Sequence, residues 1–477
     1  MPFSQAFHPA LDHTRLGGLF YDVVQPAHFP THTLRYRNNR AASTVGLDTL
    51  TDAEWVDHFG RFVPLPGSLP QPLALRYHGH QFRQYNPDLG DGRGFLFAQL
   101  RDDTGRLLDL GTKGSGRTPW SRGGDGRLTL KGGMREILAA SMLEALGVET
   151  SRAFSLIETG ENLERNDEPS PTRSAVLVRL GHSHIRIGTF QRLAANAETE
   201  ALKLLVTYVR ETYYPDLSVP EDGNEALVLF EAVCGRVARV GAQWMAAGFV
   251  HGVLNTDNIA ITGESFDYGP WRFLPRFDAG FTAAYFDHNG LYAYGRQPQA
   301  LLWNLARLAE CLLEFAPHAG LTDVLSRFPA LYERELDLAW CRRLGVSPDT
   351  PETDRALRHA VTLFMETSGI PFHCLPFDWY GGSDGAERAL NGERGDLYRD
   401  SAFAEARGLL EKRTPVASYS VDHPYFSGGQ PCNMLITTVE ALWTKISEQD
   451  DWSALDDKLA EIALMADALG HIPAVKT

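Results

Sequence analysis

Cysteine is scarce. The five in 477 residues (Cys234, Cys311, Cys341, Cys374 and Cys432) lie far apart, with no C-x-x-C pair and no metal-type spacing. Neither a disulfide framework nor a zinc site is therefore expected, and the five read as buried thiols of a reducing compartment. Long apolar runs are missing too. None approaches the roughly 18 residues a membrane helix needs, and Met1 to Leu16 carry Asp12 and Arg15 among scattered apolar residues, so a cytoplasmic chain without a membrane partner is expected. Positive charge is in deficit: 45 Lys and Arg face 60 Asp and Glu, a net −15. Such a surface repels phosphate backbones, which argues against nucleic acid as a partner, and any phosphate-bearing ligand needs a local basic pocket. There is no internal repeat or low-complexity tract. With 43% apolar and 22% charged residues the chain is ordinary globular protein, long enough at about 150 residues per domain for three domains or for one two-lobed unit with an extension.

The first 70 residues are rich in His, Pro and aromatics with little periodicity beyond an acidic helix-like stretch from Thr51 to Phe62, and read as a wrapping extension. Two apolar runs, Gly94 to Leu100 and Arg106 to Leu110, flank the turn signal Asp102 to Gly105 and predict a hairpin. Met134, Ile137, Leu138, Ser141, Met142 and Leu146 share one helical face that ends at Gly147. Arg152 to Glu158 and Ser174 to Leu180 are strand-like around an exposed polar loop, Gly160 to Thr172. Beyond Ala197 the chain turns helical: Leu227, Phe230, Val233, Val237, Val240 and Trp244 form one buried stripe, and further helices are expected at Leu301 to Phe315, Ala356 to Thr367 and Met434 to Ile446. The Gly-, Pro- and Trp-rich stretch Gly369 to Gly395 marks a boundary. The expected division is 1–75, 76–195, 196–368 and 369–477.

Four segments carry chemistry. Leu89-Gly90-Asp91-Gly92-Arg93-Gly94 precedes a strand, where glycines let backbone N–H groups approach a phosphate; alone it is equally a tight turn. Gly111-Thr112-Lys113-Gly114-Ser115-Gly116-Arg117 ends a strand in a lysine, and its glycines follow rather than precede that lysine, so it is no Walker A loop. A strand Lys followed by a helix bearing Glu136 matches the kinase arrangement of a phosphate-binding lysine held by an ion pair. Between them lies a second flexible loop, Gly123-Gly124-Asp125-Gly126. The third segment places Arg179 and Arg186 seven residues apart around a strand end, two guanidinium forks able to clamp a terminal phosphate. The alternating His78, His80, His182 and His184 lack the carboxylates or cysteines that would complete a metal site.

The fourth segment is the most specific: His251-Gly252-Val253-Leu254-Asn255-Thr256-Asp257-Asn258, then Asp267-Tyr268-Gly269. A kinase catalytic loop reads H-x-D-x-x-x-x-N, followed by an Asp-Phe-Gly whose Asp holds metal. His251 and Asn258 fall in register, yet the base position is Val253, which cannot accept a proton. Asp257 is the one carboxylate in the loop able to take that role. Three readings follow: phosphotransfer replaced by another chemistry, a phosphotransferase acting on a small molecule, or a non-catalytic ATP-binding pseudokinase. Val253 opposes the second; the retained Asp257, Asn258 and Asp267 oppose the third.

The runs GHQF (Gly79 to Phe82), P.LGDGR (Pro87 to Arg93), DLGTKGSGRTP.SR.GDGR (Asp109 to Arg127), Arg135-Glu136, SHIR.G (Ser183 to Gly188) and HGVLNTDN with DYGP resemble the selenoprotein O family of kinase-fold protein adenylyltransferases, over roughly Tyr77 to Trp303. The resemblance implies an α+β, two-lobed, protein-kinase-like (pseudokinase) fold, a β-rich N-lobe and an α-helical C-lobe with the N-terminal wrapping and a helical C-terminal extension. It implies ATP bound in inverted orientation, so that AMP passes to a protein hydroxyl and pyrophosphate leaves, with Mg²⁺ or Mn²⁺ as cofactor. Carried over, Gly90, Gly92, Arg93, Lys113, Asp125, Gly126, Arg179 and Arg186 contact nucleotide, Glu136 holds Lys113, Asp257 is the base, and Asn258 and Asp267 bind metal. Two departures stand out. Arg83 replaces a glycine after GHQF, and no cysteine of a C-terminal redox tail follows Cys432. Little of the pattern is expected beyond Gly320. The acceptor and the oligomeric state are not legible; Trp379, Tyr380, Tyr419, Tyr425 and Phe426 serve either an acceptor pocket or packing.

Overall fold

The two apolar segments on either side of the Asp102 turn pair as expected in the computed structural model, which describes residues 3–166 and 168–471. Asp167, in the loop expected to be exposed, and the terminal Ala474 to Thr477 lie outside them. Eleven strands precede the helical half: β1 (His8–Ala10), β2 (Tyr21–Val23), β3 (Thr33–Arg37), β4 (Leu73–Leu75), β5 (Gly79–Gln81), β6 (Gln84–Asn86), β7 (Leu96–Arg101), β8 (Leu107–Lys113), β9 (Leu128–Thr129), β10 (Arg152–Leu163) and β11 (Thr172–Gly181). Nine form an antiparallel sheet in the order β2-β4-β7-β8-β11-β10-β3, with β1 on β7 and β9 on β11; β5 and β6 are a separate hairpin. The β7–β8 turn is closed by Asp102, whose Oδ1 accepts from the backbone N–H of Thr104 and Arg106 at 3.0 Å each. The N-terminal stretch does more than wrap, since β1, β2 and β3 are strands of this sheet. At three to five residues each they are too short to show period-two alternation.

Alternation along the central strands decides which side chains meet the site. On β11, Val176, Val178 and Leu180 face a core shared with α1 (Asn39–Ser43) and α2 (Asp52–Phe59), where Trp55 stacks on Phe154 at 4.9 Å. Helix α2 starts in a reciprocal cap, Thr51 N–H to Glu54 Oε2 at 2.8 Å and Glu54 N–H to Thr51 Oγ1 at 3.3 Å. Ala175 and Leu177 face the opposite side and pack with α3 (Leu130–Ala145). Because side chains alternate with period two, Arg179 shares the face of Leu177. Leu177 pairs with Lys113 across β8, so Lys113 and Arg179 emerge as diagonal neighbours on the α3 side.

Helices α4 (Ile187–Ala195), α5 (Thr199–Tyr213), α6 (Glu225–Ala247), α7 (Gln297–Leu312), α8 (His318–Arg343) and α9 (Pro351–Ser368) build the second half around the buried stripe of α6. Helix α8 escapes the sequence pattern because Pro329 interrupts it. The last helices, Ile436–Gln449 and Ser453–Leu469, return to α3. Lys131 Nζ meets Glu440 at 2.7 Å, and Asp450, in the turn between them, meets Arg173 at 2.7 Å and Arg35 at 3.1 Å. All five cysteines are buried and free. Among the described residues no helix is long and apolar enough to cross a membrane.

Candidate active site

Between the sheet and the helical half opens a cleft of about 670 Å³. Seven Arg and Lys side chains and four carboxylates line it, the local basic pocket that a net charge of −15 requires of a phosphate site. Of the residues singled out in the sequence, Gly90, Gly92, Arg93, Lys113, Asp125, Gly126, Arg179, Arg186, Asp257, Asn258 and Asp267 all line it. Glu136 stands behind the wall, 2% exposed, on the inward face of α3.

The centre is an ion network. Lys113 Nζ donates to Glu136 Oε1 and, at 2.8 Å, to Asp267 Oδ1. Arg179 Nη1 reaches the same Asp267 oxygen at 3.3 Å, and its Nε is buried without a partner. Burial pushes the Asp267 carboxyl up, but Lys113 and Arg179 outweigh it and hold it well below the usual carboxylate range. Arg186 lies between two rings, its guanidinium 4.2 Å from the Tyr77 centroid and 5.0 Å from that of Phe266. It donates to the Asp257 carbonyl at 3.0 Å and faces Asp91 at 3.7 Å. Phe266 directly precedes the Asp267-Tyr268-Gly269 element, but the stacking role of neither ring is marked by a motif, because stacking on an aromatic face obeys no fixed spacing.

Asp257 sits in a single helical turn, Thr256–Asn258, 8% exposed, with Oδ1 buried and unpartnered. Burial raises its carboxyl to about 6 against the pull of Arg186. Gly79 makes this packing possible: a Cβ there would stand 3.0 Å from Asp257 Oδ1. Asn258 Nδ2 donates to the Val253 carbonyl at 2.9 Å, which leaves its amide oxygen free.

The glycine loops do something sequence reasoning missed. A Cβ on Gly90 would lie 2.4 Å from Trp120 Cγ, so the glycine admits the 118–126 loop rather than only a ligand. Ser121 Oγ donates to the Gly92 carbonyl at 2.5 Å and Thr118 Oγ1 to that of Asp91 at 2.6 Å, tying the two loops together. Asp125 is held by Arg165 at 2.8 Å; Arg122, Arg127 and Arg165 also line the cleft. The histidines are engaged elsewhere, His78 with the Tyr85 hydroxyl at 2.6 Å, His80 with Gln191 at 2.7 Å and His184 with Asp109 at 3.4 Å. Trp379, Tyr380, Tyr425 and Phe426 are at most 8% exposed and belong to the core, so packing is what they do.

A sequence model of the family described as "Protein adenylyltransferase SelO" matches residues 3–379. The chain belongs to the SelO family. Proteins named "Protein nucleotidyltransferase YdiU" are similar along it: 42% identical over 475 residues in Synechocystis sp., covering 96% of this chain and 97% of that one, and 44% identical over 460 residues in Gloeobacter violaceus, covering 94% and 93%. One from Synechococcus elongatus is 50% identical over 351 residues, 73% of this chain and 69% of its own. The likeness is wider than Tyr77 to Trp303 and does not stop at Gly320, a correction to the sequence reading: the family match runs to residue 379 and the relatives align over 94–96% of the chain. Mixed α+β, with an antiparallel sheet followed by a helical part, the architecture is consistent with the kinase-like fold of SelO. As a SelO-family protein adenylyltransferase the chain is an enzyme, a nucleotidyltransferase acting with ATP.

Proposed function

We propose that this chain uses the cleft as a kinase-like interlobe site, residues 76–195 above and 196–368 below with 1–75 and 369–477 as extensions, and that it binds ATP inverted relative to a kinase and passes AMP to a Ser, Thr or Tyr hydroxyl of a protein. The carrying observation is the pairing of Val253 at the usual base register with a buried, unpartnered Asp257 Oδ1 four residues on. Arg179 and Arg186 take the terminal phosphate. Lys113, fixed by Glu136, takes an inner phosphate oxygen, and Gly90, Gly92, Arg93, Asp125 and Gly126 flank the remainder of the nucleotide. The acceptor oxygen attacks the α-phosphorus, its proton goes to Asp257 Oδ1, the α-phosphorus to bridging-oxygen bond breaks, and pyrophosphate leaves.

The free Asn258 oxygen and the Asp267 carboxylate are hard oxygen donors that fit Mg²⁺ or Mn²⁺ completed by substrate phosphates. Bound there, such an ion supplies neutralisation of phosphate charge. A net charge of −15, against seven cations and four carboxylates lining the cleft, supports a protein acceptor over nucleic acid or an anionic membrane. The test is which label stays on a protein acceptor after incubation with ATP and a divalent metal. Label from α-³²P-ATP is expected to remain, and Asp257→Ala to reduce it by about 10²-fold or more while ATP affinity survives. Retention of γ-label, or near wild-type turnover by Asp257→Ala, refutes the assignment.

A further inference from the structure

Among the described residues the Phe, Tyr and Trp side chains that stand exposed are Tyr285 at 78%, Phe286 at 42% and Tyr85 at 40%, and the first two connect to the 251–258 loop through Phe82. Tyr285 and Phe286 pack edge to face at 5.1 Å, and Phe286 meets Phe82 at 5.8 Å. Phe82 in turn sits on the loop: its N–H donates to Asn255 Oδ1 at 3.1 Å, and its ring packs at 5.1 Å on Tyr292, whose hydroxyl donates to the same oxygen at 2.8 Å. Phe82 and Arg83 form the two-residue turn of the β5–β6 hairpin with φ of +49° and +66°. A turn with both central residues left-handed favours Asn-Gly, so these side chains hold a costly conformation of the kind that clusters at functional sites. Beyond Tyr285 lies a hollow of about 490 Å³, bounded by Ala284, His288, Gly290 and Arg296.

We infer that Phe82, Tyr285 and Phe286 form the docking ledge for the protein acceptor, and that it takes a flexible segment with an aromatic or aliphatic side chain close to the hydroxyl and a carboxylate farther along. Exposed aromatics gathered in one patch mark a recognition surface, and this patch is continuous with the loop that carries Asp257. Asp257 is only 8% exposed, so the hydroxyl has to arrive on a segment that can enter the cleft. Arg83, exposed at the turn, has its guanidinium over Trp303 at 5.7 Å and faces the carboxylate by charge complementarity.

The inference rests on the adenylyl-transfer reading, and the experiment separates the two. Wild-type protein is given α-³²P-ATP, Mg²⁺ and synthetic peptides sharing one central Thr, with Phe and Asp flanks, Gly and Asp flanks, or Phe and Lys flanks. The Phe–Asp peptide is expected to be labelled with kcat/KM about tenfold above either other, the scale of one good interface contact. The double variant Tyr285→Ala/Phe286→Ala is expected to remove the Phe preference through KM, with kcat and ATP affinity unchanged; Tyr285→Phe retains it, and Arg83→Gly removes only the Asp preference. Equal labelling of all peptides by wild type, or an unchanged preference in the double variant, overturns the ledge and leaves the chemistry standing. Absence of α-label on every peptide, with γ-label in its place, overturns both.

Discussion

Arg179→Ala is the perturbation that isolates the terminal phosphate. Arg179 makes one polar contact within the protein, Nη1 to Asp267 at 3.3 Å, and its Nε is buried without a partner, so the guanidinium has donors to spare. Its removal does not strand Asp267, which keeps Lys113 at 2.8 Å, and the fold is expected to survive. A charge-assisted hydrogen bond is worth about 1.5–3 kcal/mol, which at about 1.36 kcal/mol per decade is roughly 10- to 150-fold in affinity. Titration calorimetry with a non-hydrolysable ATP analogue and Mg²⁺ should show that loss, whereas AMP, which has no terminal phosphate, should bind within about twofold of wild type. Arg186→Ala should lose at least as much but reads less cleanly, because Arg186 also supports the Asp257 carbonyl at 3.0 Å. Equal losses for ATP and AMP in Arg179→Ala would refute the inverted orientation, since a conventional one sends the terminal phosphate toward Asp257.

Glu136→Ala should leave Lys113 drawn wholly to Asp267; kcat is expected to fall at least tenfold and stability by roughly 1–3 kcal/mol, the cost of leaving a buried charge short of a partner, with Glu136→Gln intermediate, measured by labelling and denaturant unfolding; unchanged activity would remove the ion pair from the mechanism. Glu264, in a separate pocket with Arg106, Arg152 and Glu149, accepts the His182 N–H at 2.7 Å, and burial raises its carboxyl to about 7 from 4.5. The folded state then holds the extra proton between these values, so this group's contribution to stability falls as pH rises through that window, and Glu264→Gln should gain on wild type by up to about 3 kcal/mol between pH 4.5 and pH 8; a difference in Tm that does not change with pH would contradict this.

Legibility followed chain separation. Features set by local pattern were readable: the β7–β8 hairpin from its Asp–Gly turn, α3 and α6 from their apolar stripes, the ends of the catalytic segment from His251 and Asn258. Contacts made across long separations were not. Tyr77 and Phe266, which clamp Arg186, are far apart in the chain, and no motif marks that pairing. Asp125 was legible as a loop carboxylate, but its partner Arg165 lies in a different loop 40 residues away. The buried aromatics of the C-terminal region show the opposite limit: Trp379 and Tyr380 in a polar, glycine-rich stretch look exposed by local composition and are at most 1% accessible, because they pack into the core of the helical half. Gly90 and Gly92 of the LGDGR segment line the cleft, and what their missing side chains admit is Trp120.

The catalytic segment shows why a motif can keep its register and change its chemistry. Asn258 Nδ2 donates to the Val253 carbonyl at 2.9 Å, and Asn255 Oδ1 accepts from Phe82 N–H and the Tyr292 hydroxyl. The bond to residue 253 involves its backbone, so the loop closes in the same way whatever side chain stands there. Register therefore reports loop shape, and the chemistry is free to move along it. What decides the proposed base is which carboxylate the shape leaves without a partner. Asp267 is committed to Lys113 and Arg179, and Asp91 accepts from the Leu75 N–H at 3.0 Å. Asp257 Oδ1 alone among the cleft carboxylates is buried with no donor, and a buried acceptor without a donor costs free energy unless an incoming group satisfies it. In the proposed reaction an acceptor hydroxyl satisfies it as it reaches the α-phosphorus, and that reading ties the position of the reacting phosphorus to Asp257 rather than to residue 253.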